Sequence, residues 1–355
     1  MKFKYYVLSA VFSSCLLMGF EGFANQNAFN PDISLILNGK YQYDNKILAN
    51  DGGNFYNSSF LIDESELTIS SSIDDKFNGA LTLAVMDGEI GVEEAFINSS
   101  LYGVNVKVGR SLWDIGYLNS KHPHSDNFAT RPIAYEFFMG ESFNGDGGQF
   151  SYVLPVKKYV EVGVGVYNID YNSDYNNISY STYLRFGEDI GKNQDYRIGL
   201  YLLANRTDTK NIIDMEMEDS SNNLFIMDYK YNINFMNDSK LTFIGEYYHN
   251  NLAGVNDDIE NYSADSGYYA SLVYQFNRRW AVGGTYSQIF SKNEDYEKYQ
   301  IQESLLMVSY NNSEFSTIRL QYGFAHNNDS LDNYNNHTVI LHYVVSIGAH
   351  SAHSY

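Results

Sequence analysis

Cysteine is nearly absent from the chain. The one copy, Cys15, lies inside an apolar segment at the start, so the remainder has neither a disulfide nor a thiolate metal site. Proline is scarce as well, with four copies against 33 tyrosines and 22 phenylalanines, and tyrosine and phenylalanine favour strands. Basic residues are outnumbered, and the net charge of -20 argues against nucleic-acid binding and against a basic membrane-surface patch. Beyond the first two dozen residues no apolar run reaches the length of a membrane-spanning helix, which excludes a helical membrane protein. If the chain crosses a bilayer, one structure remains that pairs every backbone N–H and C=O in lipid: a closed barrel.

The start, MKFKYYVLSAVFSSCLLMGFEGFA, has a charged lead (Lys2, Lys4), an apolar run and a small-residue exit. It reads as a secretory signal peptide over 1–24, leaving 25–355 as one barrel domain.

What the chain has in quantity is alternation. In DISLILNGKYQY the residues Ile33, Leu35, Leu37, Tyr41 and Tyr43 are apolar, with Ser34, Asn38, Lys40 and Gln42 between them. GVNVKVGR, YVEVGVGVYN, YRIGLYLLAN, LTFIGEYYH and GYYASLVYQF follow the same rule. Period two over about ten residues marks strands with one wet and one apolar face. Sixteen candidate strands can be counted, with 14 and 18 as alternatives, so the predicted fold is an all-β transmembrane antiparallel barrel. Short links alternate with long ones, the pattern of periplasmic turns and outer loops; the link near 87–91 breaks it. Acidic residues gather in long links, notably 212–220, 254–260 and 293–298, where solvated loop surface accounts for most of them.

The segment HTVILHYVVSIGAHSAHSY at 337–355 alternates too and ends on an aromatic. A closed barrel must pair its last strand with its first, and Tyr343 and Tyr355 fall in the apolar row. The segment reads as the final strand plus the signal that barrel-assembly machinery recognises. An ordinary amphipathic edge strand would leave a long apolar edge exposed.

Phase along the strands selects inward positions. Basic ones are Lys40, Lys107, Arg185, Arg197, Lys230 and Arg319; acidic ones are Glu66, Glu161, Asp228, Glu246 and Glu303; His342 also points in. The signs nearly balance, whereas a strongly selective wall shows rings of one sign. The longest link, 110–147, is the third outer loop and is rich in aromatics. Loops beyond about 12–15 residues are usually functional or disordered. It is the candidate constriction, with Arg110, Asp114, Lys121, Asp126, Arg131 and Glu136 as eyelet charges, and a surface lid as the alternative. Within it, HPHSD places His122, His124 and Asp126 on one side of an extended segment, a zinc-type ligand set without a visible fourth member. The same three serve equally as ordinary polar loop residues, and that reading is favoured, so no cofactor is expected, with zinc as the alternative. No nucleophile–base signature or phosphate-binding glycine loop marks an enzyme.

Five stretches carry a family resemblance: FNPDISLILNGKYQ (29–42), IDESELTISSSIDDKFNGALTLAV (62–85), VEEAFI (92–97), VGRSLWDIGYLNSKHPHSDNF (108–128) and SIGAHSAHSY (346–355). They resemble a group of proteobacterial outer-membrane proteins similar to the phosphate-selective porins, whose VGR…G strand exit matches Val108, Gly109 and Arg110 with Gly116. Some members are labelled zinc-regulated TonB-dependent outer membrane receptors. Against that label, no N-terminal plug domain is recognisable here, and there is no room for the roughly 22 strands of such transporters. The resemblance implies a Gram-negative outer-membrane channel for passive diffusion of small hydrophilic solutes or ions. Its partners would be outer-membrane lipid, the assembly machinery and, as porins often do, two further copies in a homotrimer. A metal-linked receptor or transporter is the first alternative, and a surface adhesin using its acidic loops is the second.

Overall fold

The computed structural model describes residues 31–45, 58–86, 89–140, 142–168, 178–206, 221–235, 238–253, 264–292, 297–330 and 333–348. The expected signal peptide, Tyr355 and nearly all of the three acidic stretches lie outside them.

Seventeen strand segments follow in chain order. They are β1 (Asp32–Asp44), β2 (Ser58–Ile62), β3 (Ser65–Ser72), β4 (Phe77–Met86), β5 (Glu89–Leu101) and β6 (Val104–Leu112). Next come β7 (Asn144–Val153), β8 (Tyr159–Asn168), β9 (Ile178–Ile190), β10 (Gln194–Arg206), β11 (Ser221–Asn234) and β12 (Lys240–Ala253). The last are β13 (Ala264–Gln275), β14 (Trp280–Lys292), β15 (Lys298–Ser313), β16 (Ser316–Asn327) and β17 (Tyr334–Gly348). Segments β2 and β3 both pair with β1 and are one strand broken at Asp63 and Glu64, so sixteen strands surround the axis. Every neighbour is antiparallel, and β1 pairs with β17 from Ser34↔Gly348 to Asp44↔Thr338, which closes the sheet. The all-β barrel of sixteen strands expected from alternation is the fold observed.

The faces sort as the period-two pattern requires. On β8, buried and exposed residues alternate from Glu161 to Asn168, with Val162, Val164 and Val166 outward and Glu161 inward. On β17, Val339, Leu341, Tyr343 and Ile347 are exposed while Ile340, His342 and Val344 are buried. An apolar exterior over a fully paired backbone is what hydrocarbon tolerates.

Link lengths also sort by end. The links 73–76, 102–103 and 314–315 are short, whereas 45–57, 113–143 and 207–220 are long; 87–88 is the short link at the long-link end. Two irregularities break the simple scheme. One is the interruption of the second strand, where the Asp63 amide donates to the carbonyl of Asn38 instead of continuing the ladder. The other is a bulge on β5. Thr82 faces Glu94 but Leu83 faces Val92, so Glu93 is the extra residue.

Candidate functional site: a loop folded into the barrel

The link from β6 to β7 runs from Trp113 to Phe143, shorter than the 110–147 read from sequence. Arg110 to Leu112 and Asn144 to Gly147 belong to strands. Its apolar side chains would be costly to leave in water, and the barrel interior offers them a partner surface. Trp113, Ile115, Tyr135, Phe138 and Met139 are buried in one cluster with inward side chains of β8 to β14, among them Tyr167, Tyr201, Leu203, Ile226, Tyr248 and Ile289. The Trp113 ring stacks on Tyr167 at 3.8 Å and meets Phe143 edge-on at 4.6 Å. Phe128 forms a second cluster with Val273, Leu305 and Met307.

Inside the loop a short helix, α1 (Ile133–Met139), begins after Pro132, whose fixed φ suits a helix entry. It stops at Gly140, at φ 72°. Ala134, Tyr135, Phe138 and Met139 make its buried face, which packs against β12, β13 and β14. Gly267 on β13 makes the close approach possible, because a Cβ there would sit 2.8 Å from the Phe138 ring and 3.4 Å from the Ala134 methyl. Gly116 serves the same end earlier in the loop. Its φ is +75°, and a Cβ would collide with Glu246 Oε1.

Polar anchors tie the loop to nearly every side of the wall. Glu246 on β12 accepts from the Tyr117 amide at 2.7 Å, the Leu118 amide at 3.3 Å and the Tyr269 hydroxyl at 2.6 Å. Glu303 on β15 accepts from the Ile133 amide at 3.0 Å, and Gln321 on β16 from the Ala129 amide at 2.8 Å. Arg185 on β9 grips Asp114 through both terminal nitrogens and reaches Glu161 at 3.2 Å. Burial alone would raise the Asp114 carboxyl, but the Arg185 guanidinium holds it below the usual range.

The remaining expected eyelet charges are spent internally. Arg110 sits on β6 and pairs with Asp146 at 2.9 Å. Lys121 donates to the Tyr117 hydroxyl at 2.6 Å. Burial lowers its ammonium below the ordinary lysine range, with Asp126 pulling the other way. Arg131 is buried and donates to Asp126 at 2.8 Å, to Tyr135 Oη at 2.7 Å and to the carbonyls of Leu118 and Lys121. Glu136 alone of the six is on the exposed face of α1.

On the wall, Lys40 pairs with Asp63 at 3.0 Å, Lys107 with Glu94 at 3.2 Å and Arg197 with the fully buried Asp228 at 3.0 Å. Lys230 lies over the Tyr117 ring at 5.3 Å. Arg319 donates to His342 Nδ1 at 3.1 Å, and His342 in turn meets Asn38 on β1. Tyr343, the described half of the expected assembly signal, faces outward.

The three expected metal ligands are not brought together. Asp126 is turned to Arg131, five residues on, while His122 and His124 lie side by side with ring centroids 5.7 Å apart and face the wall. Their partners are glutamates of β3 and β5. His124 Nδ1 is 2.7 Å from Glu66 Oε1, and His122 Nδ1 is 3.3 Å from Glu66 Oε2 and 3.2 Å from Glu93 Oε2. Glu93 was missed because strict alternation turns one of two adjacent residues outward. The signal was available, since neighbouring glutamates in VEEAFI cannot both avoid lipid without a bulge.

No family model matches the chain. A protein of Aquifex aeolicus (strain VF5), described as uncharacterized, is 28% identical over 393 residues, covering 93% of this chain and 81% of that one. Among solved structures, the anion-selective porin from Comamonas acidovorans superposes with a TM-score of 0.63 at 11% identity, covering 90% of this chain and 99% of that one. This is the fold of an outer-membrane porin. OprB of Pseudomonas putida gives 0.62 at 12% identity, covering 90% and 94%. OmpT of Vibrio cholerae, described in a trimer form, gives 0.60 at 10%, covering 90% and 99%. At such identities the likeness speaks for the barrel fold, not for a phosphate-selective channel in particular.

Proposed function

We propose that the chain is a channel for passive diffusion of small hydrophilic solutes or ions, and that the 113–143 loop sets its narrowest cross-section. The observation that carries this reading is the seating of the loop on inward side chains from β3 to β16, within a barrel of a size that would otherwise leave an aqueous passage. Glu66, Arg185, Glu246 and Arg319, which would line an open lumen, are buried. The remaining path is therefore narrower than the strand count alone implies.

Charge at the narrow level favours neither sign strongly. Lys40, Lys107, Arg110, Arg131, Arg185 and Arg197 each have a carboxylate partner within hydrogen-bond reach. A phosphate-selective channel would call for cations left to the solute, so weak selectivity is the reading supported here. Trimer assembly is carried as part of the proposal on the OmpT likeness and is checked by the mass of the detergent-extracted protein under native conditions.

The test is planar-bilayer recording. Stepwise currents and a reversal potential near zero under a salt gradient are expected. Glu136→Cys, in a chain whose one natural cysteine is Cys15, should let a charged thiol reagent change the current. Folded barrels that insert and pass no current would refute the reading.

A further inference from the structure

Beyond Leu118, the loop's two histidines meet three buried glutamates in a small polar cluster. Glu66 comes from β3, Glu93 and Glu94 from β5, and all three are less than 10% exposed, at 2%, 5% and 7%. The β5 bulge brings the last two inward together, and bulges commonly re-aim a side chain next to a functional site. Burying one carboxylate without compensation is costly, and here there are three. Glu94 is compensated through one oxygen by Lys107 at 3.2 Å and the Leu112 amide at 3.0 Å. Glu93 is not, because neither of its oxygens accepts a hydrogen bond from any described residue. His122 Nδ1, 3.2 Å from Glu93 Oε2, makes no well-formed hydrogen bond either.

We propose that His122 Nδ1, Glu66 Oε2 and Glu93 Oε2 bind one divalent transition-metal ion of the zinc type. The spacing fits. Bonds of about 2.0–2.1 Å at a tetrahedral angle place ligand atoms roughly 3.3–3.4 Å apart. The His122 nitrogen lies 3.3 Å and 3.2 Å from the two oxygens, and one ligand atom from each of the three residues lies within 4.8 Å of the others. The surroundings fit as well. Ligating histidines usually give their other ring N–H to a carboxylate, which fixes the tautomer. His122 Nε2 is 3.1 Å from Glu94 Oε2, so a proton there leaves Nδ1 with its lone pair for the metal. His124, at 2.7 Å from Glu66 Oε1, steadies that ligand from its other oxygen. A mixed nitrogen and carboxylate set suits zinc, and magnesium and calcium prefer oxygen alone. The fourth position is left to water. An ion here would pin the His122 stretch of the loop to β3 and β5.

The test is zinc titration of the refolded full chain by calorimetry, with folding of each variant followed by heat-modifiable gel mobility. One zinc per chain is expected, with binding lost in Glu93→Gln and His122→Ala and weakened about 10–100-fold in Glu94→Gln. His337→Ala, on β17 beside Tyr322, should bind like the parent. X-ray absorption of the zinc-loaded parent should show imidazole nitrogen and carboxylate oxygen around the ion, a result that needs no variant to fold. No saturable zinc binding, binding that survives both Glu93→Gln and His122→Ala, or equal competition by calcium would overturn the proposal. None of these outcomes bears on whether the barrel conducts, so the two readings fail separately.

Discussion

Replacing Glu246 by alanine separates the two forces that seat the loop. The substitution removes an acceptor shared by two loop amides and the Tyr269 hydroxyl. Hydrogen bonds to a carboxyl are worth about 0.5–3 kcal/mol each, and a buried donor left unpaired costs about 1–3 kcal/mol. These terms overlap, so a local loss of roughly 3–4 kcal/mol is the working figure. Against it stand the buried side chains Trp113, Ile115, Tyr135, Phe138 and Met139, each worth about 1.5–3 kcal/mol when buried. Their total is on the order of 10 kcal/mol, so the apolar term wins and the loop stays in the barrel. Only the stretch around Gly116 to Leu118 should loosen. At about 1.4 kcal/mol per factor of ten, the Tyr117 and Leu118 amides should exchange some 100-fold or more faster with solvent deuterium. Exchange in α1 and in the strands should hardly change, and the open-channel current should become noisier without a large rise in its mean. Unaltered exchange at Tyr117 and Leu118 would refute the anchoring role. Loss of protection across the whole of 113–143 would refute the claim that aromatic packing dominates.

Two further substitutions probe other links. Gly267→Val puts a branched side chain where Phe138 and Ala134 now rest, so α1 should lift from the wall. Proteolysis within the loop should rise while the gel mobility of the folded barrel is kept; a loop as resistant as the parent's would count against tight docking. At the turn after β3, Asp74 accepts from the amides of Lys76 and Phe77, each at 2.8 Å, and these bonds hold its carboxyl below the ordinary aspartate range. A depressed folded pKa adds stability above the unfolded value and loses it as pH falls through the folded one. Asp74→Ala should therefore unfold at lower urea than the parent at pH 7, with the gap closing in strong acid; a pH-independent gap would disprove the capping role.

The strands were legible because their period is two and one face meets lipid, so each inward or outward choice is written locally. Val160 to Val166 and Val339 to Ile347 needed nothing else. The break at Asp63 and Glu64 and the bulge at Glu93 were not legible as such, since each is a departure from that period that only pairing with a neighbour defines. The loop was recognisable by its length and aromatic content, but its anchors were not. Glu246 lies 129 residues from Tyr117, and Gln321 lies 192 from Ala129. Partners so distant leave no spacing to read. His122 and His124 stood out from the chain, whereas Asp126 looked like their companion only until Arg131, five residues on, proved a better match for its charge.

The distribution of those anchors bears on how the molecule is assembled. Some of the loop's partners, Glu66 and Glu94, arrive early in the chain, and others, Glu303, Arg319 and Gln321, arrive near its end. A half-made sheet can hold one shore of this crossing but not the other. Final seating must therefore wait for the late strands, and the closing wall has to fold around an occupant that is already half in place.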